Sequence, residues 1–460
     1  MTAIAERRRR RTIAGAVAAS ALVCAAAVMF VVGVVTLSNS QEGEAVGVDT
    51  RPREVFPATP NALLVVTDET GRLGSVVVLT LLPGGAGGSI VTLPPNADSS
   101  AGFGVQRRPL DALFDPERPD DFVLAVEDML SITLERSAIV GPDEFASLIE
   151  PLGSVQVVLP DAVIDSDPSD PAAVPDGDVD DAVDDAVDDA VDGVVDGVVV
   201  TAGPQTLSPD DVAVVLTAID DSVSAGAQHP IDVAMWSAIT DATPLISAGA
   251  SSNVDAVSSP PATVEQLVVQ LLSGEVAVRD IASSEPSAAI NPTDADVLVL
   301  DRADAALVFA QVSPALVSTP NPGLKIRVEA QYTDEQLAQT EGLFDSTSDV
   351  ARGFIDQMLV LQNNVVSADT IGGGAPEVTV IVVADPRRLE ETQAAAEVLF
   401  GRAEVLVAEV VLEGVDLEIT LGMTYLIREM VRVGVGVDDV PGTVPDGTAP
   451  SATGTVVEDG

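Results

Sequence analysis

Five consecutive arginines, Arg7 to Arg11, stand directly ahead of an uncharged apolar run from Ile13 to Leu37. Coiled as a helix at about 1.5 Å per residue, such a run crosses a hydrocarbon core about 30 Å thick with some tilt. Lys/Arg-rich flanks stay on the cytoplasmic side, so the bulk of the chain, residues 38–460, is expected outside the membrane. Two other readings compete. A cleaved signal peptide normally has a shorter apolar region. Lipoprotein processing at Cys24 would follow Val23, which is bulkier than the small residue such sites prefer. We carry forward the uncleaved anchor, in which Cys24 is a small apolar filler.

Charge then removes several functional classes. Lys and Arg number 22 against 72 Asp and Glu, a formal net charge of −50. Such a polyanion repels phosphate backbones, so no nucleic-acid partner is expected. With one Cys and one His in 460 residues, there is no disulfide framework or Cys/His zinc site. A nucleophile–histidine triad would have to use His229, which precedes Pro230 in what reads as a loop. Aromatics are 3% of residues within a hydrophobic fraction of 47%, so Val, Ala, Leu and Ile must build the cores.

Periodicity and breakers divide the chain. Residues 1–12 form a basic cytoplasmic tail, 13–37 the transmembrane helix and 38–60 a polar linker. Within 61–275, Ala62–Val66, Ser75–Leu82 and Ser89–Leu93 are short apolar runs, each ended by a Gly- or Pro-rich turn or by Thr67-Asp68-Glu69-Thr70-Gly71. Length and flanking breakers make them buried strands. A helix follows, with Phe122, Leu124, Ala125 and Met129 at helical spacing. Ser131–Ile139 leads to a strand, Pro142–Leu152 to a helix and Val155–Leu159 to a strand. Ser208-Pro209-Asp210-Asp211 is a helix start: a capping serine, proline in the first position, acids in the first turn. Pro230–Ile239 and Thr263–Leu272 are expected helices, and Trp236 with Met235 and Ile239 is expected in the core. Alternating strands and helices argue an α/β layered domain.

That domain is interrupted at residues 165–198. Val179-Asp-Asp-Ala182 recurs twice and decays into Val-Asp-Gly-Val. The aspartates repel one another along any helix, and EF-hand spacing is absent, so a solvated acidic insert is expected over a cation site. Residues 276–322, rich in Ser, Ala and Pro, read as a linker. A smaller α/β domain spans 323–428, with strands at Leu324–Tyr332, Glu377–Ala384, Val405–Glu413 and Asp416–Leu421, and helices at Thr347–Leu361 and Pro386–Leu399. Gly372-Gly373-Gly374 precedes a strand rather than joining a strand to a helix, so it is a connector and not a phosphate cradle. Residues 434–460 form a disordered tail.

The order of parts resembles the LytR-CpsA-Psr (LCP) family. The opening strand Asn61-Ala-Leu-Leu-Val-Val-Thr-Asp68, Pro109-Leu-Asp-Ala-Leu-Phe114, Asp143-Glu-Phe-Ala-Ser-Leu-Ile-Glu-Pro-Leu-Gly153, Val155–Pro160 and Gly203-Pro-Gln-Thr-Leu-Ser-Pro-Asp-Asp-Val-Ala213 carry the likeness. Residues 323–426 resemble the LytR C-terminal domain, closing with Asp416-Leu-Glu-Ile-Thr-Leu-Gly422. The resemblance implies a layered α/β domain with a mixed sheet and a cell-envelope setting. It also implies phosphotransferase ancestry: LCP proteins move glycopolymers from a polyprenyl-pyrophosphate carrier to peptidoglycan, usually with a divalent metal.

The sequence departs from the family where the chemistry lies. The family's Ile-Pro-Arg-Asp step corresponds to Leu93-Pro94-Pro95-Asn96, its second-strand aspartate falls near Gly74 or Ser75, and its Val-Arg-x-Arg falls at Leu216–Ile219. Its later basic helix falls at His229–Trp236, which has no arginine. Pyrophosphate held out of water without cations is disfavoured, because planar guanidinium groups supply both charge and paired hydrogen bonds. No catalytic or metal-binding residue is therefore assigned, and no cofactor. Asp68, Arg72, Arg107 and Arg108 remain near the expected mouth as candidate phosphate or sugar contacts, or as surface groups balancing local charge. The expected role is non-catalytic binding of wall glycopolymer, polyprenyl-linked precursor or another LCP protein. The alternative is a divergent transferase with a site rebuilt from those four residues and Mg2+.

Overall fold

The computed structural model describes residues 50–100, 106–166, 198–242 and 260–434. The expected anchor at 13–37, the acidic repeat and the tail beyond Gly434 lie outside the described residues. Among these, no helix is long and apolar enough to cross a membrane.

After β1 (Arg53–Glu54), the chain enters β2 (Asn61–Thr67), β3 (Leu73–Leu81) and β4 (Gly88–Leu93). α1 (Pro119–Leu130), β5 (Ser137–Val140), α2 (Pro142–Ile149) and β6 (Val155–Leu159) follow. β7 (Val163–Ile164) pairs antiparallel with β8 (Val198–Val200). The chain thus enters and leaves the acidic insert on neighbouring strands. Next come β9 (Gly203–Leu207), α3 (Pro209–Thr217), α4 (Ala225–Asp241), α5 (Val264–Leu271) and β10 (Val276–Asp280).

Strands in the order β10-β4-β3-β2-β5 make a mixed sheet, with the β10–β4 and β2–β5 pairs parallel and the two central pairs antiparallel. The unbroken apolar runs follow from burial on both faces. Leu64, Val66, Val77, Leu79 and Ile90 point to one side, against Phe145 of α2, Trp236 of α4 and Leu267 of α5. Leu63, Val65, Val76, Val78 and Val91 point to the other, against Phe122 and Val126 of α1. α1 therefore buries Phe122, Val126 and Leu130, and leaves Leu124, expected on that face, exposed. α3 begins as expected: Ser208 Oγ accepts from Asp211 N, and the Asp211 carboxylate accepts from Ser208 N.

Residues 276–322, read from sequence as a linker, are built into the fold. β10 is an outer strand of the first sheet, and β11 (Ser283–Ser284) pairs with β12 (Val299–Leu300). α6 (Arg302–Val312) is apolar on nearly every side and is buried between two cores. Ala305, Val308 and Phe309 pack under the first sheet; Ala303, Leu307 and Ala310 pack into the second core. The Ser, Ala and Pro composition concealed this, because three of the helix's six buried residues, Ala303, Ala305 and Ala310, are alanines.

The second core surrounds β13 (Lys325–Glu329), α7 (Asp334–Leu337), α8 (Thr347–Val360), β14 (Asn364–Asp369), β15 (Thr379–Val383), α9 (Leu389–Phe400), β16 (Ala403–Val407), β17 (Val411–Leu412), β18 (Leu417–Thr420) and α10 (Met423–Val433). Its sheet runs β14-β13-β18-β15-β16 and is also mixed. The expected strand Val405–Glu413 divides into β16 and β17, and β17 pairs in parallel with β1.

Candidate functional site

The β2–β3 turn builds one wall of a cleft. Asp68 Oδ1 accepts from Thr70 N at 2.8 Å and Arg72 N at 2.7 Å. Gly71 takes the positive φ of +83° that the turn needs. Arg72 then reaches across to Asp221, its Nη2 donating to Oδ1 at 2.5 Å. Around this pair, Gly74, Pro95, Asp111, Phe114, Ile219 and Gln228 help to line a cleft of about 460 Å³.

These residues come from sites far apart in sequence, three of them within or beside the stretches singled out by the sequence resemblance. Pro95 belongs to Leu93–Asn96, Gly74 begins the second strand, Ile219 ends the Leu216–Ile219 stretch, and Gln228 sits on α4 beside His229. The chain brings all four to one cleft, and none of them carries a cation. Gly74 has no room for any side chain: a Cβ there would lie 2.5 Å from the Leu216 carbonyl oxygen. Asn96 is buried beneath the cleft, its Nδ2 donating to Asp296 Oδ1 at 2.9 Å. Asp296 in turn accepts from Ser224 Oγ and Ala225 N at the start of α4, where a carboxylate is favoured.

The Asp111 carboxyl is raised from its ordinary value. Desolvation on the cleft wall is the main cause, with Asp296 adding to it, while a bond from Ala112 N and the Arg72 charge oppose it. With Asp221 neutralising Arg72, the cleft presents one carboxyl group, Asp111, the Gln228 amide and the Phe114 ring. That surface suits a hydroxyl-rich neutral ligand better than a polyphosphate. Among the described residues, no group of three or more His, Cys, Asp or Glu is placed to hold a metal ion.

The four residues singled out from sequence do not converge. Asp68 and Arg72 share the turn. Arg107 is instead almost buried against Asp98, Nη1 to Oδ2 at 2.5 Å with side chains 10% and 4% exposed. Its Nε donates to the Ile290 carbonyl at 3.1 Å. Arg108 is exposed, and its carbonyl accepts from Ser99 N.

His229 corrects the loop reading. It lies inside α4, buried, with Nε2 2.8 Å from Asp280 Oδ1 on β10. Seven residues on, Trp236 donates from Nε1 to Ser75 Oγ on β3 at 3.1 Å and meets Phe145 edge to face. Since β4 separates β10 from β3, α4 crosses over β4 between these two anchors. Asp232 sits there, buried, and desolvation pushes its carboxyl well above the ordinary range.

Sequence reasoning missed Asp111, Asp221, Gln228 and Asp296. Asp111 stood within the Pro109–Phe114 motif and could have been named. Asp221 could not, because its partner is 149 residues away and only folding joins them.

No family model matches the chain, and no curated protein matches it. Among solved structures, it is similar to B. subtilis TagV, at 16% identity over 58% of this chain and 100% of that one, with a TM-score of 0.38. It is similar to TagT bound to LIIa-WTA, at 15% identity over 58% and 96%, TM-score 0.34. It is also similar to a LytR-Csp2A-Psr enzyme from Actinomyces oris, at 16% identity over 54% and 91%, TM-score 0.32.

Proposed function

We propose that this protein is a cell-envelope glycan-binding protein on an LCP-like scaffold, anchored by its N-terminal apolar run with the folded region outside the membrane. It binds wall glycopolymer or its lipid-linked precursor and does not carry out phosphotransfer. One observation carries this reading. Pro95, Gly74 and Ile219, which lie where the resemblance would put three of the family's charged steps, line a single cleft, whose one guanidinium among the described lining residues is already engaged by Asp221. The sequence resemblance supplies the envelope setting.

The divergent-transferase reading needs Asp68, Arg72, Arg107 and Arg108 to act together. Arg107 is committed to Asp98, Ser100 and the Ile290 carbonyl, which gives that reading no geometric support. Mg2+ belongs to that alternative alone. Other LCP proteins remain proposed partners.

The test is direct. Soluble glycopolymer fragments bind the full-length chain saturably, and Asp111→Ala weakens binding at least tenfold. Incubation with lipid-linked donor and peptidoglycan gives no transfer product. Product formation that Arg72→Ala abolishes would overturn the proposal.

A further inference from the structure

A second cavity lies apart from this cleft, between α9 and the second sheet. A helix packed on a sheet ordinarily presents large aliphatic side chains to it. α9 presents Thr392, Ala395 and Ala396 beside the larger Leu399 and Phe400, and a slot of about 350 Å³ remains, with Ile326 and Ile419 among its lining on the sheet side. Slots of this size hold small ligands.

The mouth tells what the head of an occupant must be. Arg388, Glu391 and Asp416 stand there, two carboxylates to one guanidinium. Among the described residues, Glu391 forms no ion pair. Asp416 Oδ2 accepts only the Lys325 backbone N–H, at 2.9 Å. The remaining charge at the mouth is negative, on a chain whose net charge of −50 already concentrates cations around it.

We propose that the slot between α9 and the second sheet binds a small cationic amphiphile, an aliphatic tail lying over Ile326 and Ile419 with a protonated amine at Glu391 and Asp416. This site is independent of the glycan cleft.

Three six-carbon probes separate tail from head: hexylammonium, hexanol and hexanoate. Each is titrated into the full-length chain by saturation-transfer NMR, with Thr392→Phe and Ala395→Leu in identical preparations as blanks for non-specific uptake. Hexylammonium gives a saturable signal and binds at least tenfold tighter than hexanoate, with hexanol between them. Both blocking variants lose saturation. Glu391→Gln narrows the gap between amine and alcohol and leaves hexanol unchanged. Circular dichroism melts check each variant's fold; should Thr392→Phe melt early, Ala395→Leu, at the more open end, stands as the blank. A linear signal for all three probes, the same saturation in a folded blocking variant, or hexanoate binding as tightly as hexylammonium overturns the proposal.

Discussion

Arg72 Nη2 lies 2.5 Å from Asp221 Oδ1, so the guanidinium best placed to meet an anion in the cleft is satisfied by a carboxylate from the turn that follows α3. Both side chains are partly exposed, at 35% and 56%, so the pair contributes at most about 1 kcal/mol to stability. Asp221→Asn is therefore expected to leave the melting temperature almost unchanged. It alone does not create a pyrophosphate site, because a single cation faces Asp111. Adding Pro95→Arg and Ile219→Arg restores cations at two lining positions. At roughly 1.5–3 kcal/mol per charge-assisted contact, each raises pyrophosphate affinity about tenfold or more. Calorimetric titration of the single and triple variants checks this.

Gly74 leaves no room for a side chain at the start of β3. A Cβ there meets the Leu216 carbonyl at 2.5 Å and Thr217 Cα at 2.9 Å, both backbone atoms with little freedom to yield. Gly74→Ala is expected to cost about 1–3 kcal/mol in denaturant unfolding, and Gly74→Asp more. A Gly74→Asp protein as stable as the parent would contradict the packing of β3 against α3.

Asp232 gives a pH signature. Burial raises its folded-state carboxyl well above the unfolded value near 3.8. Between those values the folded chain holds a proton that the unfolded chain releases. Stability from this group is full below the unfolded value and falls as pH rises toward the folded one. Asp232→Asn removes that slope. Its melting temperature should exceed the parent's at pH 7, and the advantage should fade as pH approaches 4. An equal shift at both pH values would mean that ionisation is not the cause.

α6 ties two cores together. Phe309→Ala removes a ring under the first sheet and should cost about 3–5 kcal/mol; Leu307→Ala, facing the second core, about 2–5. Because the two residues share one helix, either change should lower a single cooperative transition seen by Trp236 fluorescence and by far-ultraviolet circular dichroism alike. Two separate transitions in the Leu307→Ala protein would contradict this.

These results mark what the sequence made legible. β2, β3 and β4 could be read because both faces are buried, so their apolar runs are broken only by the buried Thr80 and Thr92 and end at clear turn residues. The α3 start could be read because Ser208, Pro209 and Asp211 act locally. α6 could not, since alanine packs against two cores without any periodic stripe. His229 was misplaced because a proline usually breaks a helix, whereas here Pro230 lies within α4, close behind its Ser224 cap. The absent arginines were visible in sequence, but the pairing of Arg72 with Asp221 at the cleft, and of Arg107 with Asp98 outside its lining, depended on the fold.

The central claim is that this scaffold does not grip a pyrophosphate donor. Its most direct test is titration of a water-soluble polyprenyl-pyrophosphate analogue, with Mg2+, into the full-length protein. The account predicts no saturable binding at millimolar concentration or tighter. Saturable binding that Arg72→Ala abolishes would contradict it.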